Sequence, residues 1–188
     1  MTEAPPITIS HVVLHCFDID PMIDFYKRVM GMRVTDQGKI DGPDYKGVRI
    51  VFLSNDPRDH HQLALTEGRT AERGSVLLHQ VSYRHDSLAR LRGLKDRLEA
   101  EGVTDITPAN HGTHWSMYFH DPDGNRIEAF VDTPWYVAQP CWRDLDLSLS
   151  DDEIAQTTEA MFHDDPSFRP LEQWRGEFSQ TGNSDAIN

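Results

Sequence analysis

The chain has 188 residues, 38% of them hydrophobic and 26% charged, a balance that suits one globular domain with a tail and excludes a disordered chain. A formal net charge of −13 excludes a nucleic-acid partner, which needs a basic surface. No apolar run approaches the roughly 20 residues of a membrane helix, MTEAPPITIS does not read as a secretory signal, and two distant cysteines, Cys16 and Cys141, make the cytoplasm the simpler location.

In chain order, Ile7–Leu14 is an apolar, β-branched run that predicts a strand, with His11 inside it. Asp18 is a helix N-cap with proline following at Pro21, and Met22, Ile23, Tyr26, Val29 and Met30 keep helical spacing up to the stop at Gly31. Three short strands follow, at Met32–Asp36, Val48–Leu53 and His61–Thr66, with Gly- and Pro-containing turns between them. The order then repeats. Leu77–Tyr83 predicts a strand holding His79, and Asp86 caps a helix over Ser87–Glu101 with Leu88, Leu91, Leu94 and Leu98 near one face. Strands are expected near Thr104–Thr107, Trp115–His120 and Arg126–Val131, the last two joined by the turn Asp121-Pro122-Asp123-Gly124. From Trp135 the pattern changes. Ser150-Asp151-Asp152-Glu153 is a capping box that starts a helix to about Met161, Pro166 and Pro170 interrupt the chain, and residues 181–188 read as a frayed end.

The fold class is therefore α+β. Two βαβββ modules, about residues 7–67 and 77–132, make one domain over residues 1–134, and a C-terminal helical tail with one helix occupies 135–188. His11 and His79 hold matching places in the repeat. Either alone reads as an ordinary structural histidine; as a pair they face a shared cleft. Glu128 stands among apolar residues of the final strand, where a buried carboxylate requires a cation, a metal or strong donors. The place matching Glu128 in the first half falls near Ala64. Two histidines and one carboxylate with open positions is the facial pattern of non-heme Fe(II) oxygenases.

The stretch His111-Gly-Thr-His-Trp-Ser-Met-Tyr118-Phe-His-Asp-Pro-Asp-Gly-Asn-Arg-Ile-Glu128 and the segment Asp59-His60-His61-Gln62-Leu63-Ala64-Leu65 resemble the vicinal-oxygen-chelate superfamily, and within it the one-domain type I extradiol dioxygenases that act on dihydroxybiphenyl or related catechols. The resemblance covers about residues 7–134. It implies a glyoxalase/extradiol dioxygenase fold, with His11, His79 and Glu128 as ligands of Fe(II), Mn(II) being the other ion that suits them. It further implies His61 as the acid–base histidine, and His111 and Tyr118 as the groups that hold the substrate oxygen. His114 is the reserve for His111, because the spacing from His111 to Tyr118 is shorter than in larger members. The implied partners are a small aromatic diol and O2, with no nucleic acid and no membrane, and the aromatic-rich tail points to a homo-oligomer. Two other readings belong to the same fold. One is a glyoxalase-like metal-dependent lyase or isomerase, which usually fills the fourth corner with a second glutamate, where this chain has Ala64 with Glu67 nearby. The other is a non-enzymatic binding protein of small molecules.

Overall fold

A computed structural model describes residues 9–40, 46–72 and 78–180. Ile7, Thr8 and Leu77 of the expected strands, part of the turn before Val48, and the end from Thr181 lie outside the described residues. The chain forms two compact units, the first running to Leu77 and including the turn Asp121–Asn125, the second comprising Leu78–His120 and the chain from Arg126 onward.

In the first unit the elements are β1 (Val12–Cys16), α1 (Ile19–Arg28), β2 (Arg33–Lys39), β3 (Arg49–Ser54) and β4 (Leu63–Glu67). They form a mixed sheet of order β1-β4-β3-β2, in which β1 and β4 run parallel and the other neighbours antiparallel. Helix α1 buries Ile19, Met22, Phe25 and Tyr26, one apolar stripe at helical spacing. Asp18 is the N-cap as expected, its carboxylate accepting from the Asp20 amide at 3.1 Å; the helix accordingly begins at Ile19, with Pro21 in its first turn.

The second unit repeats the order with β5 (Val81–His85), α2 (Leu88–Ala100), β6 (Thr107–Asn110), β7 (His114–His120) and β8 (Arg126–Asp132). The sheet order is β5-β8-β7-β6. Leu88, Leu91, Leu94 and Leu98 of α2 are buried, as are Met117, Phe119, Ile127 and Ala129 of the sheet; each buried leucine contributes about 1.5–3 kcal/mol relative to exposure. Three expectations shift. The N-cap of α2 is Ser87, whose hydroxyl accepts from the Arg90 amide, while Asp86 pairs with the Arg90 guanidinium at 2.9 Å. The strand expected at Thr104–Thr107 begins at Thr107, because its place is set by pairing with β7, Thr107 opposite Tyr118 and Asn110 opposite Trp115. And both histidine-bearing strands start late: His11 immediately precedes β1, and His79 stands two residues before β5.

Beyond β8 come a two-residue strand β9 (Trp135–Tyr136), α3 (Asp151–Phe162), β10 (Arg169–Pro170) and α4 (Leu171–Gln180). Helix α3 starts with the expected capping box. The tail carries the further helix α4 because Pro170 stands just before its first turn, where a missing amide hydrogen costs nothing. The tail is fastened to the second unit. Arg92 donates to the carbonyls of Leu147 and Leu149 at 2.8 and 2.6 Å. The buried Thr158 hydroxyl of α3 accepts from Asn110 and from the Trp115 indole, both at 2.8 Å.

Among the described glycines, Gly112 is the most tightly packed. Its φ is +74°, and a Cβ there would lie 2.5 Å from Cγ2 of Val137. Gly124 has a similar φ of +80° but open space around it. Gly112→Ala should therefore destabilise by about 2–4 kcal/mol, combining backbone strain with overpacking, whereas Gly124→Ala should cost about 1–2 kcal/mol from strain alone. Urea unfolding of the two variants beside the parent checks the difference.

Candidate active site

Glu128 lies in the middle strand pairings of the second sheet. The parallel ladder sets it opposite Ser82 of β5 and the antiparallel ladder sets it opposite Tyr118 of β7. Paired residues share a face, so both hydroxyls are delivered to the carboxylate. Among the described residues four neutral donors meet it. Ser82 Oγ and Gln80 Nε2 reach Oε2 at 2.6 and 2.9 Å. Ser116 Oγ and Tyr118 Oη reach Oε1 at 2.8 and 2.7 Å. Glu128 is only 5% exposed. Burial, the largest single influence, pushes its carboxyl up; the hydrogen bonds from Ser82, Tyr118 and Ser116 and the nearby His114 together outweigh it, and the group is held below the usual glutamate range. The carboxylate thus meets the strong donors that its burial demands.

Tyr118 passes the network on. Its hydroxyl lies 2.9 Å from Nε2 of the buried His111, whose Nδ1 contacts the Cys141 carbonyl. A carbonyl only accepts, so that contact places a proton on Nδ1, and Nε2 of the neutral ring and Glu128 Oε1 are then alternative acceptors for the single phenol proton of Tyr118. Burial first, then the hydrogen bond to Glu128 and its negative charge, push the Tyr118 phenol well above its ordinary value, so it stays a donor at neutral pH. Trp142 stacks on the Tyr118 ring with centroids 5.2 Å apart, and the Arg126 guanidinium lies 4.2 Å from the ring centroid. Both Cys141 and Trp142 come from the tail.

His114 Nε2 is 3.7 Å from Glu128 Oε1. Burial, then the neighbouring His111, lower its pKa and favour a neutral imidazole. His111, His114 and Glu128 each offer one ligand atom, all within 4.8 Å of one another, and among the described residues they are the one such group of three. An ionised carboxylate and the neutral imidazole of His114 are donors that fit a divalent transition metal, while both nitrogens of His111 already have partners in Cys141 and Tyr118. An adjoining cavity of about 410 Å³ is lined by Ser82, Arg84, His114, Glu128, Phe130 and, from α4, Trp174.

The remaining expected residues are placed as follows. His79 is exposed, and its Nε2 lies 3.2 Å from an Arg126 guanidinium nitrogen; the residue of that segment bonded to Glu128 is Gln80. In the first unit His11 and His61 come together, with ring centroids 4.2 Å apart, and His61 also meets Phe52 and His60. Slight burial, then the positive charge available to His11 and His60, lower the His61 pKa. Sequence reasoning missed Gln80, Ser82 and Ser116. Their signal was the alternation in Gln80-Val81-Ser82 and Ser116-Met117-Tyr118, polar on one face and apolar on the other.

A family profile described as the Glyoxalase/Bleomycin resistance protein/Dioxygenase superfamily matches residues 8–129. The chain belongs to that superfamily. It is 31% identical over 136 residues to biphenyl-2,3-diol 1,2-dioxygenase 2 of Rhodococcus globerulus, covering 70% of this chain and 65% of the relative, so it spans just under two thirds of that protein's length. It is 27% identical over 123 residues to a lactoylglutathione lyase of Neisseria meningitidis, covering 64% of this chain and 87% of the relative. Among solved structures, a glyoxylase/bleomycin resistance protein/dioxygenase domain from Frankia sp. EAN1pec superposes with a TM-score of 0.57 at 21% identity, over 69% of this chain and 100% of that one. That likeness carries the fold, which agrees with the paired βαβββ pattern of the superfamily.

The charged cluster has a pH signature. A carboxylate with a depressed folded pKa contributes stability that is fully present above its unfolded value, near 4.5, and is lost as pH falls through the folded value. Ser82→Ala should cost about 1.5–3 kcal/mol at pH 7, the range for a hydrogen bond to a charged group, and the gap between parent and variant should narrow at pH 3. Urea unfolding at both pH values measures it; a gap of equal size at both would mean that Glu128 is not buried as an anion.

Proposed function

We propose that this chain is an extradiol ring-cleaving dioxygenase that inserts both atoms of O2 into a catechol-type aromatic, 2,3-dihydroxybiphenyl-like, at an Fe(II) site, with Mn(II) as the other ion the donors suit. The observation that carries the reading is the Glu128 carboxylate, kept anionic by neutral hydrogen bonds beside His111 and His114. Support also comes from the relative whose name is biphenyl-2,3-diol 1,2-dioxygenase.

Glu128 holds the metal in this reading. Bound there, the metal supplies Lewis acidity toward the catechol hydroxyls and an electron route to dioxygen. The protein's own groups do the rest. Tyr118 keeps its proton at neutral pH and presents a hydroxyl to a ring oxygen, while His111, fixed in one tautomer by the Cys141 carbonyl, orients Tyr118. Phe130 and Trp174 give the cavity apolar walls for an aromatic ring. His61 is assigned to hold a proton and then return it, a role for which its lowered pKa keeps the neutral form available. The resemblance assigns His11 and His79 as the imidazole ligands; His11 and His61 belong to the first unit and enter by that resemblance alone.

A second reading, a glyoxalase-like metal-dependent lyase or isomerase, draws on the lactoylglutathione lyase relative. Against it, the ladder positions that hold Ser82 and Glu128 in the second unit hold Val13 and Ala64 in the first, so the fourth corner lacks a carboxylate, and Glu67 is exposed at the end of β4.

Protein loaded anaerobically with Fe(II) should turn 2,3-dihydroxybiphenyl yellow in air, with oxygen uptake equal to product. Glu128→Ala should abolish both together with metal content. Tyr118→Phe should keep the metal and lose roughly 10²-fold in kcat. Retained metal with neither product nor oxygen uptake across a range of catechols would favour the lyase reading.

A further inference from the structure

The sheet face that carries Glu128 continues beyond it. Alternate residues of a strand share a face, so Glu128, Phe130 and Asp132 of β8 stand in one row. The parallel ladder sets Ser82 of β5 beside Glu128 and Arg84 beside Phe130. All five side chains line the cavity, and α4 adds Trp174 and Arg175 to its wall. One end of the row thus holds the Glu128 carboxylate and its hydroxyl donors. Arg84 stands one pair further on, roughly 7 Å along the strands, and Arg175 meets Asp132 at the other end.

The two arginines share a single carboxylate oxygen. Oδ2 of Asp132 is 3.3 Å from Arg175 and 3.6 Å from Nε of Arg84. Arg175 has a second carboxylate, the exposed Glu172, at 2.5 Å. For Arg84, Asp132 is the one ion-pair partner among the described residues, and it lies beyond hydrogen-bonding distance. The Arg84 guanidinium otherwise lies over the Phe130 ring, 5.3 Å from its centroid. The chain as a whole carries 31 acidic against 18 basic side chains, so most of its surface repels anions. Two guanidiniums at one end of the cavity set a local field of the opposite sign, and the planar fork of a guanidinium matches the two oxygens of a carboxylate.

We propose that the substrate is a catechol whose substituent, a short chain beside the diol, ends in a carboxylate. The diol lies at the Glu128 end, the carboxylate meets Arg84 with Arg175 flanking it, and Phe130 is the apolar floor between them. This rests on the dioxygenase reading and names its substrate class. A neutral second aromatic ring is the competing occupant, because it would stack against Arg84 as Phe130 does.

The test is binding, read by anaerobic calorimetric titration of the Fe(II)-loaded full chain with 2,3-dihydroxyphenylpropanoate and with its uncharged amide. The parent should bind the acid about tenfold more tightly than the amide, and that ratio should shrink between about 0.05 M and about 0.5 M salt. Arg84→Gln, first checked for parental circular dichroism and melting, should lower the ratio by about tenfold. Arg84→Lys keeps the charge and should lower it by about threefold at most. A parent ratio near one, or a ratio unchanged within about twofold in Arg84→Gln, would overturn the proposal; oxygen uptake with either probe would then leave the dioxygenase reading in place. Binding of neither probe with Fe(II) in place would also overturn it. Charge-selective binding without oxygen uptake from any catechol would uphold the carboxylate end of the cavity and remove the dioxygenase reading.

Discussion

A buried negative charge governs the second unit. Moving a carboxylate out of water costs several kcal/mol unless its lone pairs are met. Here they are met by neutral hydroxyls and an amide, and His114, 3.7 Å away, adds to the stabilisation of the anion. That solution depends on register. A slip of one residue in β8 would turn Ile127 or Ala129 to the donors and put the carboxylate among the leucines packed under the sheet. The two ladders that flank β8 are thus constrained by chemistry as well as by packing.

The tail is part of this arrangement. His111 sits just before a glycine that takes a left-handed conformation and lies too close to Val137 for any side chain. Its ring is oriented by the Cys141 carbonyl, and the tyrosine it meets is covered by Trp142. Thr158 of α3 ties Asn110 and Trp115 to the same tail. The cavity beside Glu128 takes a wall from α4. Segments outside the repeated pattern therefore supply orientation, cover and part of the pocket wall.

The two units use one ladder for different ends. Where the second has Ser82 and Glu128 paired, the first has Val13 and Ala64, and β4 is apolar and buried from Leu63 to Leu65. The polar chemistry of the first unit gathers instead at the strand ends, where His11, His60 and His61 meet. In chains built from repeated modules, the same backbone pairing can hold a hydrophobic core in one copy and a polar cluster in the other, because side-chain choice on a paired face is independent of the hydrogen-bonded backbone.

Much of the architecture was legible in the sequence. Strand alternation, the helical spacing of α1 and α2, the Asp18 cap and the capping box at Ser150 are local signals, set by interactions within a few residues. The turn after His120 could also be read, and His111, Tyr118 and Glu128, which the structure brings into hydrogen-bonding contact, lie in one continuous stretch. Strand starts could not. Whether His79 or Gln80 meets Glu128 is decided by the β5–β8 ladder, a pairing between segments far apart in the chain, and a shift of one residue changes which side chain arrives. The cap of α2, the second tail helix and the reach of Cys141 and Trp142 into the site likewise depend on what each segment packs against. The sequence by itself determined the kinds of element and the residues able to do chemistry; the tertiary structure decided which of them meet, because cross-strand register and long-range packing are settled only when the sheets are assembled.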